Sequence, residues 1–195
     1  PMGAIETMML NCANSEIGKY LNIPTQGYIA MSDAKLLDAQ AGLETGIGAV
    51  LAALAGINSV SGPGMLDFES CQSLEKLVLD HEICAMSVRL ARGIEPKEDF
   101  PALPIFQELL AEKHLLIADH TRKHLRQEIL FPGPVIDRAT RGRWKDSGGL
   151  TLGERASREV ERIIRKYRPS RLPDAAKAGL QRLMEGEARR HGMER

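Results

Sequence analysis

An α/β fold built on a parallel sheet, followed by a helical C-terminal extension, is what this sequence predicts. Three observations lead there. Helix and short apolar strand patterns alternate as far as residue 92. Each strand pattern is separated from the next by a helix-length segment, the spacing of a parallel crossover. Beyond Gly93 the alternation stops, prolines at 96, 101 and 104 interrupt the chain, and only helix patterns follow.

From Ile5 to Leu21 the apolar residues Ile5, Met8, Met9, Cys12, Ala13, Ile17 and Leu21 recur at steps of three and four, which predicts an amphipathic helix. Asn22 and Pro24 stop it. Gly27–Met31 (GYIAM) reads as a buried strand that leaves through Ser32, Asp33, Ala34 and Lys35. Asp38 to Ala55 reads as a second helix. It carries Gly42, Gly46 and Gly48, each costing on the order of 1 kcal/mol of helix propensity, so close packing against a sheet is expected to retain them. Gly56 ends this helix. Ile57–Ser61 (INSVS) reads as a second strand leaving through Gly62, Pro63 and Gly64, and a long helix is expected from Glu69 to Arg92.

In the second part, short helices are expected near Pro104–Glu112 and His120–Glu128, then another from Val135 to Trp144. Thr151 and Glu154 form a T-x-x-E capping box for a helix reaching Arg168, with Leu152, Ala156, Val160, Ile163, Ile164 and Tyr167 as its apolar stripe. A last helix spans Asp174 to Arg190. The expected domains are therefore 1–92 and 93–195. Two strands are too few to close any sheet, so their neighbours are expected to come from elsewhere and the chain is expected to be a fragment.

The chain is 43% hydrophobic and 27% charged, which excludes a disordered or fibrous protein. The longest mostly apolar stretch, Ile47–Val60, is too short to span a bilayer, and no signal-peptide pattern opens the chain, so a cytoplasmic protein away from membranes is expected. Cys12, Cys71 and Cys84 match no zinc spacing and are expected to be small buried thiols. Net charge is zero overall, but residues 1–91 hold four Lys/Arg against ten Asp/Glu, and the remainder twenty-two against sixteen. The basic run from Arg138 to Arg171 is interleaved with Glu154, Glu159 and Glu161, so nucleic acid is not the expected partner; an acidic protein is.

The run SDAKLLDAQAGLETG, residues 32–46, resembles a segment of the trimethylamine methyltransferase family of the form S/T-D-A/S-K-x-x-D-x-Q-A-x-x-E. The G-x-G-M-L loop at 62–66, the segment Glu75–Ile83 with its D-x-E-I core, the H-T-x-x-H of His120–His124, and Asp137-Arg138 with Trp144 resemble further family segments in the same order. No pyrrolysine is present, so the chain resembles the non-pyrrolysine branch, as its C-terminal region.

That resemblance implies the last βα units of a (β/α)8 TIM barrel with a helical C-terminal extension. It implies methyl transfer from trimethylamine, or from a quaternary amine of the glycine betaine type, to a corrinoid (cobalamin) carried by a partner protein, with no metal bound directly. In-line displacement needs nitrogen, carbon and cobalt aligned at about 3–3.5 Å. A quaternary substrate leaves as a neutral amine and needs no general acid, whereas a tertiary one needs prior activation. The rival is a non-catalytic binding or assembly module. A hydrolase using Ser32 or Ser61 lacks a nucleophile elbow.

Barrel sites sit where strands end. Asp33 and Lys35 are the candidate catalytic residues, Asp33 stabilising a cationic substrate and Lys35 orienting it or a neighbouring carboxylate; the alternative is a loop cap and a solvated lysine. Ser32, Tyr28, Phe68 and Glu69 are candidates for substrate binding, since carboxylates and aromatic faces attract quaternary ammonium groups. Ser61, Gly62 and Gly64 are candidates for corrinoid contact through a bare backbone, or else form an ordinary turn. No Lys-Ser/Thr follows them, so they are no phosphate loop. His120 and His124 are candidates for the same contact; they lack a third ligand for zinc. Asp80 and Glu82 are expected to be solvated helix charges. A homo-oligomer is expected.

Overall fold

The computed structural model describes residues 1–97, 101–169 and 171–193. Its elements are α1 (Ile5–Tyr20), β1 (Gln26–Gly27), α2 (Ala39–Ala55), β2 (Ser59–Val60), β3 (Met65–Leu66), β4 (Cys71–Gln72), α3 (Leu74–Arg92), α4 (Leu103–Glu112), α5 (Asp119–Glu128), α6 (Arg141–Asp146), α7 (Leu152–Lys166) and α8 (Asp174–Arg190). The chain divides into two compact units, Pro1–Arg162 and Ile163–Arg195.

In the first unit β1 and β2 pair in parallel, Gln26 with Ser59 and Gly27 with Val60, and α2 is their crossover. The alternating pattern therefore does encode a βαβ unit. Each strand is shorter than its sequence suggests, and no closed barrel is visible among the described residues. For the first strand the cause is local: Ala30 has φ +63°, the left-handed region, so GYIAM cannot continue as a ladder. Ile29, Ala30 and Met31 are nevertheless buried, under α2 and the turn after β2. A Cβ on Gly48 would lie 2.7 Å from the Ala30 nitrogen, and one on Gly62 would lie 2.1 Å from the Ile29 carbonyl oxygen. Two elements thus rest directly on this backbone, which only glycine permits.

Asp38 caps α2, its side chain accepting from the N–H groups of Gln40 (2.9 Å) and Ala41 (3.3 Å). Gly56 closes it in the left-handed conformation, φ +64°. The third helix departs from expectation. It begins at Leu74, capped by Ser73, because residues 65–72 form an antiparallel hairpin of β3 and β4. The segment from Val135 is also not helical until Arg141; Val135 is buried in the main core with Ala30, Ala49, Leu79, Ile83 and Ala156. The helix starting at Leu152 has the expected capping box: Glu154 accepts from the N–H (2.7 Å) and hydroxyl (2.8 Å) of Thr151, whose hydroxyl accepts from the Glu154 N–H. Of its expected stripe, Ala156 is fully buried and Leu152 packs on the core. Ile163, Ile164 and Tyr167, in the second unit, are exposed; α8 is the other helix of that unit among the described residues.

Two charge expectations are overturned. Asp80 is fully buried and Glu82 nearly so, each with an internal donor. Of the thiols, Cys71 is exposed and lies in β4, while Cys12 and Cys84 are half-buried. Among the described residues no helix is long and apolar enough to cross a membrane.

Candidate functional site

Ser32 to Lys35 follow β1, as expected, and are organised by a residue of α2. Glu44 Oε2 accepts from the Ser32 hydroxyl (2.6 Å) and from the Asp33 N–H (2.8 Å), while its Oε1 accepts from Gln40 Nε2 (2.9 Å). The Ser32 hydroxyl in turn accepts from the Ala34 N–H. Burial pushes the Glu44 carboxyl up, but the hydrogen bonds from Ser32, Gln40 and Asp33 and the charge of Lys35 outweigh it, so Glu44 lies below the usual glutamate range. Within the 32–44 motif, then, Asp38 caps the helix, Gln40 holds Glu44, and Glu44 ties the helix to the segment after β1.

Asp33 and Lys35 emerge on different terms. Asp33 is 8% exposed and its Oδ1 accepts from the Met2 N–H at 3.1 Å. Lys35 turns outward: its Nζ donates to the Asp33 carbonyl oxygen (2.7 Å), lies 3.3 Å from Asp67 Oδ1, and stands 4.2 Å from the centroid of the Phe68 ring. Lys35 and Phe68, candidates from separate stretches of sequence, therefore meet. Asp67 joins them unforeseen.

The β3–β4 turn presents Phe68. Asp67, Phe68 and Glu69 all adopt left-handed backbone, φ +49°, +56° and +71°. Each such non-glycine residue costs on the order of 1 kcal/mol, and strain of this kind gathers at functional positions. Glu69, beside Phe68, is half-buried, with a buried Oε1 that has no hydrogen-bond partner. Tyr28 is half exposed, and its carbonyl accepts from Asn11 Nδ2.

The glycine turn after β2 faces inward. The Ser61 N–H donates to the Gly27 carbonyl, Gly62 presses on Ile29, and the Gly64 N–H donates to Asp80 Oδ2 at 2.6 Å. Packing inside the chain thus accounts for Gly62, and the Gly64 N–H is held by Asp80. His120 and His124 lie side by side on α5 with ring centroids 5.0 Å apart and ring planes tilted by 60°. Among the described residues no group of three or more His, Cys, Asp or Glu could hold a metal ion.

Beneath this rim lies a charged network that spacing does not reveal. Lys76 and Asp80, both fully buried, form an ion pair on α3; Lys76 Nζ also donates to Thr45 Oγ1 of α2 at 2.8 Å. Burial pushes the Asp80 carboxyl above its ordinary value, opposed by the Gly64 N–H and by Lys76. Glu82, farther along α3, accepts the Gly133 N–H with both oxygens, at 2.9 and 3.1 Å. A solvated and a buried i, i+4 pair look identical in sequence; only the surroundings differ.

A family model described as trimethylamine methyltransferase (MTTB) matches residues 1–192. The chain is 28% identical to the trimethylamine methyltransferase MttB of Desulfitobacterium hafniense (strain DSM 10664 / DCB-2) over all 195 residues, which are 39% of that relative. It is 31% identical to MttB of Methanosarcina thermophila over 86% of the chain and 34% of the relative. It is 27% identical to the glycine betaine methyltransferase of D. hafniense (strain Y51) over 99% of the chain and 40% of the relative. The chain thus spans about two fifths or less of these relatives' lengths. With the family model matching nearly end to end, the chain belongs to the trimethylamine methyltransferase family, as its C-terminal region.

Proposed function

We propose that this chain serves a methyltransferase that moves a methyl group from a methylated amine, of the trimethylamine or glycine betaine type, to the corrinoid of a partner protein. The observation that carries the reading is the setting of Lys35: an alkylammonium rests on the Phe68 face beside the Asp67 carboxylate, the surroundings a methylated ammonium needs. The names of the relatives support the substrate class. In this reading the parallel βαβ unit belongs to the last part of a (β/α)8 barrel completed outside these residues, and β1 and β2 deliver the rim from their C-terminal ends. The partner corrinoid supplies the methyl acceptor. The chain's own residues hold the ammonium and keep the rim rigid through Glu44, leaving a quaternary nitrogen to depart without a proton donor. The basic stretch from Arg138 onward suits an acidic corrinoid protein, and the setting is cytoplasmic.

A chimera tests this directly. The chain replaces the matching C-terminal region of the D. hafniense glycine betaine methyltransferase, and methylation of cob(I)alamin is followed by absorbance with glycine betaine or trimethylamine. Methylation dependent on one of these amines is expected, and Asp33→Asn is expected to lower it 10-fold or more (about 1.4 kcal/mol) with melting unchanged. A folded chimera that methylates nothing would remove the proposal; normal kinetics in Asp33→Asn would reduce Asp33 to a loop cap.

A further inference from the structure

The ammonium of Lys35 meets three kinds of group at once: an aromatic face at 4.2 Å, a carboxylate oxygen at 3.3 Å and a main-chain carbonyl oxygen at 2.7 Å. These are what a cation seeks when part of its water is removed. The place is nevertheless open. The Lys35 side chain is 62% exposed and Phe68 47%, so solutes can reach the ring and Lys35 can swing away into water. The partners, by contrast, are well fixed. The Asp67 N–H donates to the Ala34 carbonyl (3.1 Å), the Ser70 N–H donates to the Asp67 carbonyl (2.9 Å), and Glu44 holds the Asp33 main chain. A cradle held by main-chain hydrogen bonds thus faces an exposed cation.

We propose that Phe68, Asp67 and the Asp33 carbonyl form a cation site whose resident occupant is Lys35, and that a small methylated ammonium enters by displacing the Lys35 ammonium. The inference rests on the methylated-amine reading above and adds the group with which substrate competes. Lys35 is then a gate rather than a catalyst. A primary ammonium has three N–H donors and keeps its bond to the Asp33 carbonyl. A permethylated nitrogen has none; it forgoes that bond but lays polarised methyl groups on the ring, so ring contact decides the exchange. Apparent affinity is reduced by the fraction of molecules whose site is free.

The test is titration of tetramethylammonium chloride into the 195-residue chain at constant ionic strength, followed by NMR. Wild type is expected to bind weakly, and Lys35→Ala to bind about two- to fivefold more tightly. Lys35→Arg keeps a cation over the ring and is expected to remain at the wild-type value. Removing a positive charge favours any cation, so the same comparison is made with Phe68→Ala. There the gain from Lys35→Ala is expected to shrink, and an undiminished gain would overturn the displacement. Equal or weaker binding by Lys35→Ala would also overturn it while leaving the methylated-amine reading intact. Binding by no variant would overturn the cation site, whereas the methylated-amine reading stands or falls with the chimera.

Discussion

Glu44 shows how one carboxylate organises a functional segment. Its folded pKa lies below the usual value of 4.5, so its stabilising contribution is present above that pH and is lost as pH falls through the folded value. Glu44→Gln is expected to cost about 1–2 kcal/mol at pH 7, and its difference from wild type should shrink below about pH 4.5 in melts followed by circular dichroism. A difference independent of pH would show that shape rather than charge matters. The buried Lys76–Asp80 pair allows a second measurement at this scale. Lys76→Met leaves Asp80 charged and unpaired and is expected to cost about 3–5 kcal/mol in urea unfolding. Adding Asp80→Asn, which can still accept the Gly64 N–H, should recover part of that loss, because the stranded charge disappears. A double variant weaker than Lys76→Met alone would contradict this account.

Among the elements, α2 shows why composition and position must be separated. Its three inner glycines carry the same propensity penalty, yet only Gly48 meets backbone; a Cβ on Gly42 or Gly46 would touch nothing within 4 Å. Gly42→Ala and Gly46→Ala are therefore expected to stabilise by about 0.5–1 kcal/mol. Gly48→Ala must push the helix off Ala30 and should lower the melting temperature clearly. Equal effects at all three positions would mean the contact with Ala30 is unimportant. The sequence pattern located α2 and its Gly56 stop correctly, because these depend on residues within the helix or next to it; that Asp38 caps the helix rather than opening it came from the structure. It placed the start of α3 five residues early, since the hairpin at 65–72 depends on pairing Met65 with Gln72 and Leu66 with Cys71. It also extended the first strand past Ala30, whose left-handed turn no propensity foretells.

On the scale of the whole molecule, apolar surface is left uncovered. Leu43 and Leu54 of α2 are 62% and 61% exposed, and an apolar cleft of about 240 Å³ lined by Ala53, Ile57, Val60, Cys84 and Val88 lies beside β2. Among the described residues the two parallel strands also have no further strand neighbours, so their outer edges are open. Self-association at micromolar concentration is therefore expected in sedimentation velocity, and Leu43→Glu with Leu54→Glu should weaken it. A sharp monomer boundary with protected amides would refute the expectation.

From sequence alone came the alternation of elements, the helix caps, and the ordered motifs that point to the family, all of which reside in residues near one another or in their order along the chain. Ser32, Asp33 and Lys35 were legible as a strand exit for the same reason, and Phe68 as an aromatic candidate. Tertiary structure decided which of them meet. Lys35 finds Phe68 and Asp67 across a long stretch of chain, Glu44 reaches back to Ser32 and Asp33, and Asp80 turns inward to Gly64 and Lys76. Spacing along a helix specifies a face, but whether that face meets solvent or a neighbouring backbone depends on segments distant in sequence. The burial of Asp80 and Glu82, and the inward packing of Gly62, belong to that second kind of information.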